Sequence, residues 1–315
     1  MDAPPPQPIV DRPVSFEVRN VNRTDDPCHG DGRMYTVRGR LIGPRDRVAG
    51  HRAVTVYLHG SVLGQRTWRF RAVDGYDYAR GQARAGHVSL IYDGLGYGRS
   101  DVPHGSDVCG GTEADVAHQV VRGMRRRGFR RVALFGFSFG GYAAELEAAT
   151  FRDVDALGVE SWADHLTARF VRALGPGAED CANGGRRKRP GDARGYRWVF
   201  HRRDERVMLA SPARGMRAAL YRAHERDPCG LGSSAAGVSG NPERLGTITV
   251  PVLLVYGTRD ALFAKRSRDA QRDDFTGTDD LSYKLIEGAG HFLTLEGRAP
   301  AFRALVHRWL RARGL

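Results

Sequence analysis

The chain has 315 residues, of which 41% are hydrophobic and 27% are charged. This composition is typical of a globular protein, excludes collagen-like and disordered classes, and offers no run of about 18 apolar residues for a membrane-spanning helix. The 49 basic residues outnumber the 36 acidic ones and give a formal net charge of +13. Because the basic residues are scattered along the whole chain, the charge does not indicate nucleic-acid binding.

The predicted elements alternate between strands and helices. We expect residues 1–30 to be a leader and the start of an edge strand, and we predict a second strand at residues 34–42. Buried strands, rich in apolar and β-branched residues, are predicted at 53–58 and 88–92. Further strands are predicted at 132–136, 156–160, 250–256 and 281–286. Helical patterns separate them at 76–85, 112–128, 140–150 and 300–310, and Thr112 opens the second of these with Asp115 completing a capping box. This alternation predicts an α/β fold with a doubly wound, mostly parallel sheet.

One interval interrupts the alternation. Residues 161–245 are far too long for an ordinary crossover between strands. They contain helical patterns at 163–174, 196–209 and 212–224, the last with Ser211 as its N-cap. We therefore predict a helical cap at residues 161–245, inserted into a core formed by residues 31–160 and 246–315.

The chain has four cysteines, Cys28, Cys109, Cys181 and Cys229. They form no CxxC pair, and the histidines show no spacing typical of zinc ligands, so we expect no metal site. An even number of cysteines favours a secreted protein with two disulfides. We expect the disulfide bonds Cys28–Cys109 and Cys181–Cys229, because each of them would cross-link one region of the predicted fold. Four free thiols in a cytoplasmic protein are the alternative.

The sequence from Gly136 to Gly140, with Ser138 at its centre, lies between a predicted strand and a predicted helix. A serine hydroxyl is a weak nucleophile, so a catalytic serine must be exposed beside a base. A tight strand-to-helix turn exposes it, and glycines two positions before and after relieve the crowding of the turn. Such a turn also directs the helix N-terminus at negative charge on a substrate. Ser138 is therefore the candidate nucleophile.

Asp260 and His291 each follow a predicted strand. The loops after parallel strands gather at the carboxyl edge of a sheet, so both side chains can meet Ser138 there. In a triad of these residues, His291 takes the proton of Ser138 and Asp260 orients and stabilises the imidazole. Asp164, shortly after strand 156–160, is an alternative acid, although we expect it to cap the first cap helix instead.

With these motifs in this order, the chain resembles the α/β-hydrolase superfamily from about Tyr35 to Trp309. The pair His59-Gly60 after a buried strand is similar to the oxyanion loop of that family. The resemblance implies that the backbone N–H groups of Ser61 and Phe139 bind the oxyanion of the reaction. It assigns His59, Gly60 and the two glycines of the serine turn to structural roles.

The resemblance also implies a reaction. We expect a serine hydrolase that cleaves carboxylic esters through an acyl-enzyme on Ser138, needs no cofactor or metal, and acts on a small-molecule or lipid-like ester. The same triad supports lactonase, thioesterase, carbon–carbon hydrolase and acyltransferase chemistry, so the bond that is cleaved stays open.

Other readings of the cap are also open. A proline-iminopeptidase-type aminopeptidase is the main alternative function, and it needs an acidic cap residue to hold the substrate amine. The cap offers Glu179, Asp180, Asp204, Glu205, Glu225 and Asp227. The cap arginines would instead favour a substrate with a carboxylate or phosphate. Three cap aromatics either line the substrate cleft or only pack the cap: Tyr196, Trp198 and Phe200.

Overall fold

The structure, a computed structural model, describes residues 8–200, 205–232, 234 and 242–315. The strands are β1 Ile9–Arg19, β2 Met34–Pro44, β3 Ala53–Leu58, β4 Ser89–Asp93, β5 Arg131–Phe137, β6 Ala156–Glu160, β7 Tyr196–Arg197, β8 Asp227–Pro228, β9 Val252–Gly257 and β10 Leu281–Ile286. The helices are α1 Arg45–Gly50, α2 Tyr78–Arg84, α3 Gly110–Arg126, α4 Phe139–Phe151, α5 Ala168–Leu174, α6 Ala178–Ala182, α7 Glu205–Met208, α8 Met216–Ala223, α9 Pro242–Leu245, α10 Lys265–Asp274 and α11 Ala299–Ala312. None of the helices within these described ranges combines the length and the hydrophobicity that a membrane span requires.

Eight of the described strands form one sheet, in the order β1-β2-β4-β3-β5-β6-β9-β10. β2 pairs antiparallel with β1 and β4, whereas the other neighbouring strands pair in parallel. β9 is buried along its whole length, and β3 and β5 are buried apart from their first residues. Strands buried on both faces need helices on both sides, and their sequences are accordingly continuous apolar runs. The doubly wound, mostly parallel sheet predicted from the sequence is confirmed.

The start of α3 differs from the prediction. The N-cap is Cys109, and Thr112 lies three residues into the helix. The hydroxyl of Thr112 accepts a hydrogen bond of 2.9 Å from the Cys109 N–H, so the threonine closes the turn from inside the helix. The predicted capping box of Thr112 with Asp115 is wrong, because the Asp115 carboxylate is bound by the Arg23 guanidinium at 2.7 Å.

Residues 161–245 hold shorter helices than the sequence predicted. α5 begins at Ala168 rather than at 163, and its N-cap is Thr167. α8 begins only after Gly215, whose φ of 82° does not continue a helix from Pro212. Ser211 therefore caps no helix, and its N–H donates to the Glu296 carboxylate at 2.8 Å instead.

The helix predicted at 196–209 is wrong in its first part. Tyr196–Arg197 form β7, which pairs antiparallel with β8. The Tyr196 hydroxyl donates to the carbonyl of Pro103 at 2.8 Å, which holds the ring against the core. These long-range contacts outweigh the helical pattern of the local sequence. Helix appears again at α7, and residues 201–204 of the predicted helix lie outside the described residues.

Both predicted disulfides are present in the structure. Cys28–Cys109 joins the segment after β1 to the start of α3, with 6.5 Å between its Cα atoms. Cys181–Cys229 joins α6 to the 3₁₀ turn after β8, with 5.6 Å between its Cα atoms. One bond therefore fixes the core and the other fixes the segment inserted between β6 and β9.

Candidate active site

Ser138 occupies the one-residue turn between β5 and α4. Its φ of 50° and ψ of −124° lie in a region that non-glycine residues rarely adopt, and such strain is typical of functional turns. The turn needs glycine at Gly136, because a Cβ there would lie 2.1 Å from the carbonyl oxygen of Gly140. A Cβ at Gly140 would in turn lie 2.4 Å from the carbonyl oxygen of His59. The Ser138 N–H donates to the backbone of Glu160 at 2.8 Å, which ties the turn to β6.

The three predicted side chains meet at the carboxyl edge of the sheet. His291 Nε2 lies 3.0 Å from Ser138 Oγ, and His291 Nδ1 lies 3.0 Å from Asp260 Oδ2. The second carboxylate oxygen of Asp260 accepts the N–H groups of Leu262 at 2.8 Å and Phe263 at 3.2 Å. The side chains of His291 and Asp260 are fully buried. This hydrogen-bonded series can move a proton from the serine to the imidazole and stabilise the resulting cation.

Asp164 has other contacts. Its carboxylate accepts the indole N–H of Trp162 at 2.8 Å, and its own N–H donates to Gln271 at 2.8 Å. The expectation that Asp164 caps the first cap helix is wrong, because the Thr167 hydroxyl accepts the Phe170 N–H at 3.0 Å in that position. The carboxylate beside the His291 imidazole is that of Asp260.

The loop after β3 lies directly against the serine turn. His59 Nδ1 donates to the Gly60 carbonyl at 2.7 Å, and its Nε2 accepts the Gly94 N–H at 2.8 Å. These two contacts require the neutral ring, and burial lowers the pKa of His59. A Cβ at Gly60 would lie 2.9 Å from the Cβ of Ser138. His59 and Gly60 therefore shape the backbone around the nucleophile.

Two buried glutamates that sequence reasoning missed position the His291 loop. The side chain of Glu160 accepts the Leu293 N–H at 2.9 Å. Glu296 accepts the Gly290 N–H at 2.8 Å and, with its other oxygen, the Ser211 N–H at 2.8 Å. Both glutamates are completely buried. The only signal for Glu160 in the sequence is an acid at the end of an apolar strand, and Glu296 has none.

A cavity of about 300 Å³ opens onto Ser138. Ser61 and Phe139 lie in its wall, beside the nucleophile. The remaining wall is mostly apolar and includes Trp162, Leu166, Phe170, Val171, Leu174, Val199, Phe200 and Leu231. Of the three aromatic residues considered from the sequence, Phe200 therefore lines this cavity, whereas Trp198 lines a different one.

Two charged side chains interrupt the apolar wall. Arg197 and Asp227 both line the cavity, and both are buried. Arg197 Nε and Asp227 Oδ2 have no hydrogen-bond partner in the described part of the chain. The Tyr97 hydroxyl and the Val62 N–H donate to the other oxygen of Asp227. Burial raises the pKa of Asp227 to about 6 and lowers the pKa of Arg197.

Other acidic residues proposed for the cap have partners elsewhere. Glu225 pairs with Lys188 at 2.9 Å, and Asp180 pairs with Arg186 at 2.9 Å. Asp204 lies outside the described residues. Asp227 is therefore the acid of that set that the structure places in the wall of the cavity.

Comparison with known proteins gives the same fold. The sequence profile of the alpha/beta hydrolase family matches residues 55–304. No curated protein matches the chain significantly. An esterase from Thermogutta terrifontis, solved with malate bound, is 18% identical with a TM-score of 0.67 over 94% of this chain and 98% of its own.

Two further solved structures have similar scores. A monoacylglycerol lipase from Paleococcus ferrophilus is 18% identical with a TM-score of 0.63, over 87% of this chain and 98% of its own. The 2-hydroxy-6-oxo-6-phenylhexa-2,4-dienoate hydrolase from Rhodococcus sp. strain RHA1 is 15% identical with a TM-score of 0.63, over 96% of this chain and 100% of its own. At these identities the structural likeness shows the fold alone.

Proposed function

Because the chain belongs to the alpha/beta hydrolase family, we propose that it is a serine hydrolase that cleaves carboxylic esters. The observation that carries the proposal is the hydrogen-bonded series from Ser138 Oγ through His291 to Asp260, with both distances at 3.0 Å. The esterase and lipase among the similar structures support an ester as the substrate.

The proposed reaction has two steps. His291 Nε2 takes the hydroxyl proton as Ser138 Oγ attacks the ester carbonyl, and the same nitrogen then protonates the departing alcohol. In the second step His291 deprotonates a water molecule that attacks the acyl-enzyme and releases the acid. Asp260 holds the imidazole in the tautomer that presents Nε2 to the serine and stabilises the cation formed in each step.

We assign the oxyanion hole to the backbone N–H groups of Ser61 and Phe139. Phe139 is the first residue of α4, so its N–H has no acceptor inside the helix. Ser61 follows the loop that packs against the serine turn, and both residues line the cavity beside Ser138. Two such donors stabilise the negative charge of the tetrahedral intermediate, and losing one typically costs about 10²–10³ in rate.

The cavity limits the acyl group. At about 300 Å³ it lies at the small end of ligand pockets, and its wall is mostly apolar. We therefore expect a short or medium acyl chain rather than a long one. The buried guanidinium of Arg197 in the same wall favours an acyl chain that ends in a carboxylate.

The test is hydrolysis of p-nitrophenyl esters from acetyl to palmitoyl, with one ester whose acyl chain ends in a carboxylate. We expect turnover by the wild type and a loss of about 10⁴-fold or more in kcat for Ser138→Ala, because the variant has no nucleophile. Ser89→Ala, which changes a buried serine of β4, is the matched control and should keep wild-type turnover. Wild-type rates from Ser138→Ala, or no wild-type turnover of any ester, would contradict the proposal.

A second candidate function rests on Asp227. Asp227 lines the cavity, and its oxygen Oδ2 has no hydrogen-bond partner among the described residues, so the carboxylate could hold a substrate amine. This arrangement favours the proline-iminopeptidase-type alternative. Adding proline p-nitroanilide to the same substrate series decides between the esterase and the aminopeptidase. An aminopeptidase cleaves this anilide faster than the p-nitrophenyl esters, because their acyl groups carry no free amine.

The disulfides support a location outside the reducing cytoplasm. Bonds such as Cys28–Cys109 and Cys181–Cys229 persist in oxidising compartments and are rare in the cytosol. We propose that the protein is secreted. Alkylation of the protein purified from its native source should label no cysteine before reduction and all four after it. Four reactive thiols in the native protein would contradict this location.

A further inference from the structure

A second group of histidine and carboxylate side chains lies at the opposite end of α4 from Ser138. His118 is in α3, Glu147 is in the last turns of α4, and Asp153 follows the end of α4. Ser138 immediately precedes the first residue of α4. Because a helix rises 1.5 Å per residue, about 20 Å separates the two ends of α4. The group is therefore separate from the proposed active site.

The donor atoms of this group are close enough to share one ion. His118 Nδ1 lies 2.9 Å from Asp153 Oδ2 and 3.9 Å from Glu147 Oε1. One donor atom from each of the three residues lies within 4.8 Å of the other two. Ligand atoms bound at about 2.1 Å from a common ion are roughly 3–4 Å apart, so modest side-chain adjustment would complete the site.

The buried atoms of this group lack hydrogen bonds. His118 Nδ1, Asp153 Oδ1 and both carboxylate oxygens of Glu147 are buried without a partner in the part of the chain that the structure describes. Glu147 is completely buried and His118 nearly so. An unpaired carboxylate in such a place is costly, and a bound cation removes that cost. The unpartnered atoms therefore belong to three side chains that each bring a possible ligand atom within 4.8 Å of the other two.

The residues around His118, Glu147 and Asp153 hold these side chains in place but do not supply their missing hydrogen bonds. The His118 ring stacks on Phe151, with 3.9 Å between ring centroids and 13° between planes. The nearby cation of Arg23 is bound to Asp115 at 2.7 Å and so is already neutralised. The Asp153 side chain is 27% exposed, which leaves the group open to solvent on one side.

We propose that His118, Glu147 and Asp153 bind one divalent transition-metal ion, such as zinc, that fastens α3 to the end of α4. An imidazole with two carboxylates suits zinc or manganese, whereas calcium and magnesium prefer oxygen ligands alone. The exposed side at Asp153 leaves room for a water molecule as a further ligand. The proposal does not depend on the proposed function.

The test uses the full chain after treatment with EDTA and dialysis. We expect equilibrium dialysis to give one tightly bound Zn²⁺ per chain. At a free Zn²⁺ concentration 100 times the dissociation constant, thermal unfolding should shift upwards by about 5 °C. Ca²⁺ at the same concentration should give no shift.

The decisive variant is Glu147→Gln, which keeps the shape of the side chain and removes its charge. It should lose the bound Zn²⁺ and the thermal shift while it keeps its far-ultraviolet circular dichroism and its rate of ester hydrolysis. His165→Gln is the matched control, because His165 lies 2.7 Å from Asp274 and the described part of the chain adds no third ligand to that pair. This variant should bind Zn²⁺ like the wild type. Equal zinc binding by wild type and Glu147→Gln, or none by either, would overturn the proposal and leave Glu147 and Asp153 sharing a proton.

Discussion

Two histidine–aspartate pairs in this protein have nearly the same spacing and different surroundings. His291 Nδ1 lies 3.0 Å from Asp260, and His118 Nδ1 lies 2.9 Å from Asp153. In the first pair the other ring nitrogen reaches Ser138, and backbone N–H groups satisfy the second oxygen of Asp260. In the second pair Nδ1 of His118 has no hydrogen-bond partner in the described part of the chain, although Asp153 and the buried Glu147 lie close by. The residue beside each pair, Ser138 in the first and Glu147 in the second, therefore decides the chemistry that each pair is proposed to perform.

The two ends of α4 add to this contrast. The N-terminus of a helix carries a partial positive charge and the C-terminus a partial negative one. Ser138 stands at the N-terminal end, where the negative charge of the proposed tetrahedral intermediate would be stabilised. Glu147 and Asp153 stand at the C-terminal end, where a cation is stabilised. One helix thus suits an anion at one end and a cation at the other.

The largest expected effect comes from removing the charge of Asp260, and the same change at Asp153 is the comparison. Asp260→Asn should lower kcat for ester hydrolysis by about 10⁴-fold, because an amide holds the imidazole in the wrong tautomer. Asp153→Asn should leave kcat essentially unchanged, because that pair lies at the far end of α4 from the nucleophile. The measurement is steady-state hydrolysis of the best p-nitrophenyl ester by both variants.

Circular dichroism of both variants separates lost chemistry from lost folding. If Asp260→Asn retained full activity, Asp260 would not be the acid of the proposed triad. If Asp153→Asn lost as much activity as Asp260→Asn while folded, the two pairs would not be independent.

The contrast also explains how much the sequence could reveal. Ser138, Asp260 and His291 each follow a strand, and the strands can be recognised in the sequence as apolar runs. In a parallel sheet the three residues are therefore expected at the same edge. His118 and Glu147 lie within helices, and nothing in their spacing indicates that α3 and α4 place them together. The expectation of no metal site rested on sequence spacing, and spacing does not test the proposed ligand set, which would be assembled by the packing of two helices.

The inserted segment was harder to predict for a related reason. Tyr196 has a helical neighbourhood in the sequence, yet its hydroxyl is bound by Pro103 and its backbone pairs with β8. Ser211 looks like an N-cap, yet its N–H is bound by Glu296 from the loop that carries His291. Contacts with residues distant in sequence decide both conformations, and such contacts leave no local signal.

A smaller effect, on the free energy of unfolding, is expected from replacing Asp227. This buried aspartate accepts hydrogen bonds from Tyr97 and Val62 rather than from a histidine. Burial raises the pKa of Asp227 from 3.8 to about 6. The folded state therefore holds this proton more tightly than the unfolded state, and stability from this group is present below about pH 4 and lost as the pH rises to about 6. Asp227→Asn removes this dependence while it keeps an oxygen that can accept both hydrogen bonds.

The free energy of unfolding of Asp227→Asn relative to wild type should accordingly rise by about 2 kcal/mol between pH 4 and pH 7. Urea unfolding at several pH values measures the difference, and the exposed Asp46→Asn serves as the control whose difference should vary little with pH. A difference for Asp227→Asn that stays constant, or falls, as the pH rises would mean that its partners already stabilise the ionised carboxylate. In that case the hydrogen bonds from Tyr97 and Val62 would be enough to hold a buried aspartate in its ionised form, without a histidine beside it.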